Sequence, residues 1–484
     1  MKITFLIPPS PEKIQPAERT AGCTTVVYPM INIYELTIAA LLEKEGYEVS
    51  YKDFVKEKNT WAEFDNFLRN DESDVYIFWS VNLSMSTDIC SAQLINQYSP
   101  RSFILFIGPA PTYYIKEFLA LQNAVVVRGE PELTVKEFCT SIAFKKDFDQ
   151  IQGISFLNKE SKIQNNPTRP LMKDLDILPF PARHLIDKNY YSNPKLKKVP
   201  YTAMVTSRNC PFQCIYCVPS SLTFARELEN KRETNKKPFI SKRSVENVIE
   251  EIELLASEGY KAVGIMDDNF ITTEKRLRPI AEAFKKNGIV WGCEARVDAI
   301  TEPIAQILGE TGCMYIDLGV ESFNDTVLEY IKKGVTRKQI LDAIHLLNKY
   351  NVPVKLNILI GTSPLETKDI IKDTLNTAIK LDVDQIMINI VAPFPGTEFY
   401  DLAKKNGWIV GGEYKPTDVQ HHSILQYPNL STKDMEDLLY WYNLKFFLRP
   451  SFIWKQLRKF SSFSEFWRAG KALRKKLTRY KNKN

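Results

Sequence analysis

Short apolar runs alternate with stretches of helical period through most of this chain, and that rhythm admits few architectures. Strand-like runs fall at Ile3–Ile7, Tyr47–Tyr51, Val75–Trp79, Phe103–Ile107 and Ala124–Val127. Between the first two, Ile33–Lys44 has apolar residues at helical spacing and stops at Glu45-Gly46. Strands separated by helices pair in parallel, because each helix carries the chain back across the sheet. Residues 1–145 therefore read as a doubly wound parallel sheet, with ligands expected beyond the carboxyl ends of its strands. Those ends are Pro8-Pro9-Ser10, Ser80-Val81-Asn82, Gly108-Pro109-Ala110 and Arg128-Gly129-Glu130.

A second series occupies 196–405. Strands are expected at Tyr201–Thr206, Ala262–Met266, Val290–Glu294, Met314–Gly319, Val354–Ile360 and Gln385–Val391. Helices are expected near 243–258, 273–287, 301–310, 336–349 and 366–381. Six such units fit a (β/α)6 partial barrel, whose chemistry lies at the carboxyl ends of its strands. Polar residues stand there: Asp267-Asp268-Asn269, Glu294 with Arg296, and Glu321-Ser322. The intervening 146–195 reads as a linker, with a small hairpin at 153–164 and the proline-punctuated Asp174–Arg183. The charged stretch 220–240, broken only at Pro238, reads as a solvated flap or lid. Beyond 406 the rhythm stops, leaving a helix at Thr432–Phe447 and a helical tail to 484.

Composition bounds the class. Apolar and charged fractions of 44% and 25% are those of a globular protein. No uncharged apolar run is long enough to span a membrane. The chain enters a strand at Lys2, so no signal peptide is expected, and the scattered cysteines suit a reducing cytoplasm. The net charge of +6 conceals an asymmetry: residues 451–484 alone carry +10, leaving −4 on the rest. Nucleic acid is therefore not an expected partner of the main body. The tail mixes those basic residues with Phe452, Trp454, Phe460, Phe463, Phe466 and Trp467. That composition suits the anionic inner face of a membrane, or equally a tail packed on the barrel.

The chemistry concentrates in Cys210-Pro-Phe-Gln-Cys214-Ile-Tyr-Cys217, at the end of the apolar run from Tyr201. A strand that delivers a short loop can point all three sulfurs at one centre. Thiolates suit iron–sulfur clusters and zinc. Three ligands on a four-iron cube leave one iron open. A structural zinc loop would need a fourth ligand, and no further Cys or His lies close by in sequence.

Cys-x3-Cys-x2-Cys with an aromatic before the last Cys resembles the signature of the radical S-adenosylmethionine (SAM) enzymes. The resemblance implies a 4Fe-4S cluster on Cys210, Cys214 and Cys217, with SAM on the open iron and cleaved to a 5′-deoxyadenosyl radical. It places the backbone of Tyr216 against adenine and Asp267-Asp268 near the SAM amino group. Arg296, Glu321 and Ser322 would meet the ribose and carboxylate. Residues 1–145 resemble the cobalamin-binding domain that precedes many of these enzymes. Its implied contacts are Pro9, Ser10, Ser80, Asn82, Gly108, Pro109, Thr112, Arg128, Gly129 and Glu130. Two departures stand out: Ala110 replaces a frequent His, and the Asp-x-His-x-x-Gly loop is absent. With no His in residues 1–183, any cobalamin here is expected to lack a histidine below its cobalt.

The fold expected is thus α/β: a Rossmann-like doubly wound sheet (1–145), a linker (146–195), a partial TIM barrel (196–405) and a helical basic-aromatic region (406–484). The resemblance implies cobalamin-dependent methyl transfer to an unactivated carbon, with a radical SAM cyclase or rearrangement enzyme as the alternative. A non-catalytic metal-binding scaffold is the alternative of another class. Expected partners are a small-molecule or lipid substrate and a reductant such as flavodoxin or ferredoxin.

Overall fold

A computed structural model describes residues 1–10, 15–26, 28, 30–56, 59–234 and 236–450. The first sheet contains β1 (Lys2–Ile7), β2 (Glu48–Asp53), β3 (Val75–Trp79), β4 (Phe103–Ile107) and β5 (Ala124–Val127). Helices α1 (Ile33–Lys44), α2 (Trp61–Asn70), α3 (Met85–Tyr98), the short α4 (Pro109–Tyr113) and α5 (Ile115–Phe118), and α6 (Glu132–Ala143) connect or follow these strands. The five strands pair in parallel in the order β2-β1-β3-β4-β5. β1 and β3 to β5 are almost wholly buried, as strands covered by helices on both faces must be. The hairpin expected inside the linker, β6 (Ile154–Leu157) and β7 (Ile163–Asn165), instead extends this sheet antiparallel to β5.

The second sheet begins at β8 (Tyr201–Met204), two residues shorter than expected. The chain then turns into β9 (Ser207–Arg208), runs through α7 (Ser221–Thr234), and returns as β10 (Ser241–Lys242) to pair antiparallel with β9. The alternation continues as α8 (Val245–Ser257), β11 (Ala262–Ile265), α9 (Glu274–Lys286), β12 (Val290–Arg296) and α10 (Glu302–Glu310). It closes with β13 (Cys313–Glu321), α11 (Asp325–Tyr330), α12 (Arg337–Lys349), β14 (Val354–Ile360), α13 (Lys368–Lys380) and β15 (Gln385–Ile390). These six barrel strands run parallel in the order β15-β14-β13-β12-β11-β8, an open barrel with no pairing between its ends. Hydroxyl caps start the helices: Ser244, Thr273, Thr336 and Thr367 each accept an N–H of the first turn. α14 (Glu398–Lys405) and α15 (Thr432–Phe447) follow, the latter opened by a capping box of Ser431 and Asp434. Residues 451–484, and with them the expected membrane contact, lie outside the described residues. No helix among the described residues is long and apolar enough to cross a membrane.

The charged stretch 220–240 corrects the expectation of a solvated flap. α7 is buried from Ser221 to Glu229, with Arg226 wholly inaccessible, and packs across the first domain. The charges of this buried part are paired rather than solvated. Glu229 meets Arg128 of the first domain at 3.0 Å, and Arg226 meets Glu130 at 3.2 Å. Arg208, on β9, holds Glu130 and Glu132 at 2.6 Å each. Three guanidinium groups thus face three carboxylates between the domains. Breaking one such buried pair costs about 3–5 kcal/mol, because a charge is left without its partner.

Candidate active site

The cysteine loop hangs from the end of β9 and is closed by Asp268, just beyond β11. One oxygen of Asp268 accepts the N–H of Ser220 at 2.7 Å. The other accepts the N–H of Asn209 at 3.1 Å and the hydroxyl of Thr223. The residues just outside Cys210 and Cys217 are therefore tied to one carboxylate. Asp267 holds the preceding turn, accepting Thr206 N–H and the Thr206 and Ser207 hydroxyls at 2.6–2.7 Å. Both aspartates, expected at the SAM amino group, are engaged in building the loop.

Three cations stand by the thiols. Lys237 acts on Cys210 and Cys217, Arg296 on Cys210, and Lys333 on Cys214. Burial pushes the Cys210 thiol up, and it pushes the Cys217 thiol well up with help from Cys214, so metal uptake here must release protons. Among the described residues no three Cys, His, Asp or Glu side chains converge as a single metal ion requires. Three soft donors on one fixed loop, compensated by cations, fit an iron–sulfur cluster.

β12 and β13 run two residues further than expected, so Arg296 and Glu321 sit on the strands themselves. Arg296 is fixed by Asp298 at 2.9 and 3.0 Å and by the Lys333 carbonyl at 2.8 Å. Its guanidinium lies 3.4 Å over the ring of Phe212, inside the cysteine loop. Glu321 takes a left-handed φ of 65° at an irregularity in the β13–β14 register. Such strain persists only where surrounding contacts enforce it. Here Lys333 grips Glu321 at 2.7 Å and Tyr216 bonds to it, so burial and this carboxylate push the Tyr216 phenol well up. Gly319 leaves the room: a Cβ there would stand 2.8 Å from Lys333 Nζ. Ser322 is not part of this group. It is buried against Thr374 of α13 at 3.1 Å.

The residues expected around cobalamin are placed differently. Thr112 donates to the Gly108 carbonyl, and its own carbonyl accepts Arg232 of α7. Gly129 lies under α7, where a Cβ would be 3.0 Å from Glu229. α4, with Pro109 at its start, packs on α7, and Arg128 and Glu130 are spent in the interdomain ion pairs. Nearer the switch point between β1 and β3, Ser80 donates to Asp88, which also binds Arg19 at 2.7 Å. Asn82 reaches Tyr414, Pro9 is buried, and Ser10 is partly accessible. α7 and residues 18–22 thus lie beside these strand ends.

Sequence reasoning missed Lys237 and Lys333 beside the thiols, and Lys195, Asp317 and Lys355 deeper in the barrel. Lys355 carried a signal: in Val354-Lys-Leu-Asn-Ile polar residues alternate with buried apolar ones, the mark of a strand with a polar inner face.

The three-thiol loop stands at the mouth of an open parallel barrel, the place where an iron–sulfur cluster would fit. Residues 204–390 match the Radical SAM superfamily, so the chain carries that domain and is a radical SAM enzyme. It is similar to an uncharacterized methyltransferase of Pyrococcus horikoshii, 28% identical over 471 residues and 96% of either chain. It is also similar to the anaerobic magnesium-protoporphyrin IX monomethyl ester cyclase of Synechocystis, 26% identical over 66% of this chain and 61% of that one. Among solved structures, the radical SAM methyltransferase TsrM of Kitasatospora setae, with cobalamin and a [4Fe-4S] cluster bound, shares the fold. The TM-score is 0.64 at 15% identity, over 90% of this chain and 80% of that one.

Proposed function

We propose that the chain is a radical SAM methyltransferase that alkylates an unactivated carbon of a small molecule or lipid. The observation that carries this reading is the likeness, over 96% of both chains, to an uncharacterized methyltransferase of Pyrococcus horikoshii. Cys210, Cys214 and Cys217 would hold the four-iron cluster, whose chemistry is the one-electron cleavage of SAM, with an external reductant such as flavodoxin or ferredoxin. Arg296, Glu321 and Lys333 form a charged rim beside the loop, suited to the carboxylate and ribose of SAM.

Cobalamin is supported as the methyl carrier by the likeness to the cobalamin-bound methyltransferase. The test is anaerobic reconstitution with iron, sulfide and hydroxocobalamin, followed by SAM and a reductant. Cobalt retained after gel filtration, with S-adenosylhomocysteine formed beside 5′-deoxyadenosine, is the expected result. 5′-Deoxyadenosine alone would favour the cyclase-like reading that the Synechocystis relative supports. A colourless protein that leaves SAM intact would defeat both.

A further inference from the structure

The lumen of a (β/α) barrel is ordinarily packed with layers of branched apolar side chains. One layer of this barrel is charged. Glu294, Asp317 and Lys355 stand side by side in register on β12, β13 and β14. Their strand neighbours Cys293, Ile316, Leu318 and Leu356 face the opposite way, into the apolar core beneath the helices. Below the charged layer the tyrosine rings form a floor. Tyr315 folds over Gly292, where a Cβ would come within 2.3 Å of the ring, and Tyr201 likewise covers Gly264. Lys195 enters from the linker, passes 3.9 Å over the Tyr315 ring, and places its ammonium 2.7 Å from Asp317.

The pairing is incomplete. Lys195 and Lys355, the latter at 2.9 Å, both bind the same oxygen of Asp317. The other oxygen has no hydrogen-bond partner, although Asp317 is only 2% exposed. A buried polar atom left unpaired costs about 1–3 kcal/mol, more when charged, so it marks a place where a ligand atom belongs. Glu294, beside it, makes no hydrogen bond or ion pair with any described residue. It is accessible to solvent, yet burial and then Asp317 push its carboxyl above the usual range. A side chain that is both accessible and enclosed lines an internal space. Burial pushes up the phenol of Tyr28, from the loop after β1, and Asp317, Glu18 and Glu294 add to it. The two carboxylates balance the two lysines, and the acceptors left open are Glu294 and the second oxygen of Asp317.

We infer that this layer anchors the substrate through a protonated amine, which donates to Glu294 and to the free oxygen of Asp317. Arg296 lies two residues beyond Glu294 on β12, hence about 7 Å higher along the strand. The reacting carbon is then held one side-chain layer above the amine, at the level of the cysteine loop. The inference rests on the proposed enzymatic reading, and its experiment separates the two.

The probe is the cation-exchange-retained fraction of a small-molecule extract of the native cells, tested against the neutral and anion-retained fractions. Binding to the reconstituted full chain is read as a rise in melting temperature, since a ligand of the native state stabilises it. The cation-retained fraction should raise it, and acetylation of its amines should abolish the effect. Glu294→Gln loses no partner and so keeps its fold; it should need about tenfold more of the fraction, as expected for one charge-assisted hydrogen bond. Asp317→Asn should weaken the response as well, but it also loosens two lysines. The inference is overturned if only neutral or anionic fractions stabilise, if acetylation changes nothing, if Glu294→Gln responds like wild type, or if no fraction stabilises. Transfer of deuterated methyl from SAM, followed in the same fractions by mass spectrometry, reports on the methyltransferase reading alone. Amine binding without transfer would sink that reading and spare this one. A labelled product confined to the anionic fraction would do the opposite.

Discussion

Replacing Asp268 with Asn would test whether one carboxylate holds the cysteine loop shut. The aspartate accepts Ser220 N–H at 2.7 Å on one oxygen, and Asn209 N–H at 3.1 Å with the Thr223 hydroxyl on the other. An asparagine can satisfy one side only, because its NH2 group must then confront the N–H on the other. The Thr223 hydroxyl can turn to accept from that NH2, so the net loss is one charge-assisted bond and the weakening of another. At about 1.5–3 kcal/mol per charge-assisted bond, the loop is destabilised by about 2–3 kcal/mol. With tenfold per 1.4 kcal/mol, the open-loop population rises roughly 30- to 100-fold. The reconstituted variant would be exposed anaerobically to an iron chelator while its visible absorbance is followed. Release through local opening tracks the open population, so bleaching should accelerate by about the same factor with the circular dichroism unchanged. Bleaching at the wild-type rate would refute the assignment of Asp268 as the closure of the loop.

Three further outcomes are expected. Cys210→Ala, Cys214→Ala and Cys217→Ala should each abolish the cluster absorbance, whereas Cys293→Ala and Cys313→Ala, both buried in the barrel core, should keep it; full iron content in any of the first three would sink the ligand assignment. Arg208→Met strips Glu132 of its ion-pair partner and should lower the urea midpoint by the equivalent of about 3–5 kcal/mol, with Glu132→Gln in the same chain restoring part of it; an unchanged midpoint would mean the network is neutral to stability. Glu35 is buried with one oxygen unpaired, and its carboxyl is pushed up to about 8, chiefly by burial. The native state therefore holds a proton that the unfolded chain, with a carboxyl near 4.5, has already lost, so stability falls as pH rises between those values. Glu35→Gln should remove that part of the decline, and parallel curves for the two proteins would refute it.

Most of the scaffold was legible because its strands are short apolar runs bounded by turns. Val75–Trp79, Phe103–Ile107, Ala124–Val127 and Val354–Ile360 lie where periodicity alone places them. The cysteine loop was legible from spacing. α7 was not, since Arg-Glu-Leu-Glu-Asn-Lys-Arg-Glu reads as a solvated surface when the carboxylates and guanidinium groups that pair with it lie about a hundred residues away. Phe224 and Leu228, four apart with no Gly or Pro between Ser221 and Thr234, were the available signal for a packed helix. The uses of Asp267 and Asp268 were hidden for a related reason. A carboxylate at a strand end looks the same in sequence whether it meets a ligand or the N–H groups of its own chain.

The passage of α7 under the first domain bears on how such a protein could be cut or recombined. A fragment starting at residue 196 would keep the three loop cysteines and all six barrel strands. It would also expose Arg208 on β9 and Arg226 on α7 with their counter-charges deleted, and Glu229 without Arg128. Such a fragment would fold poorly or bury those charges against a second molecule. Exchange of the first domain between relatives is therefore an exchange of two surfaces at once, and a chimera is soluble only when its α7 travels with the sheet that neutralises it.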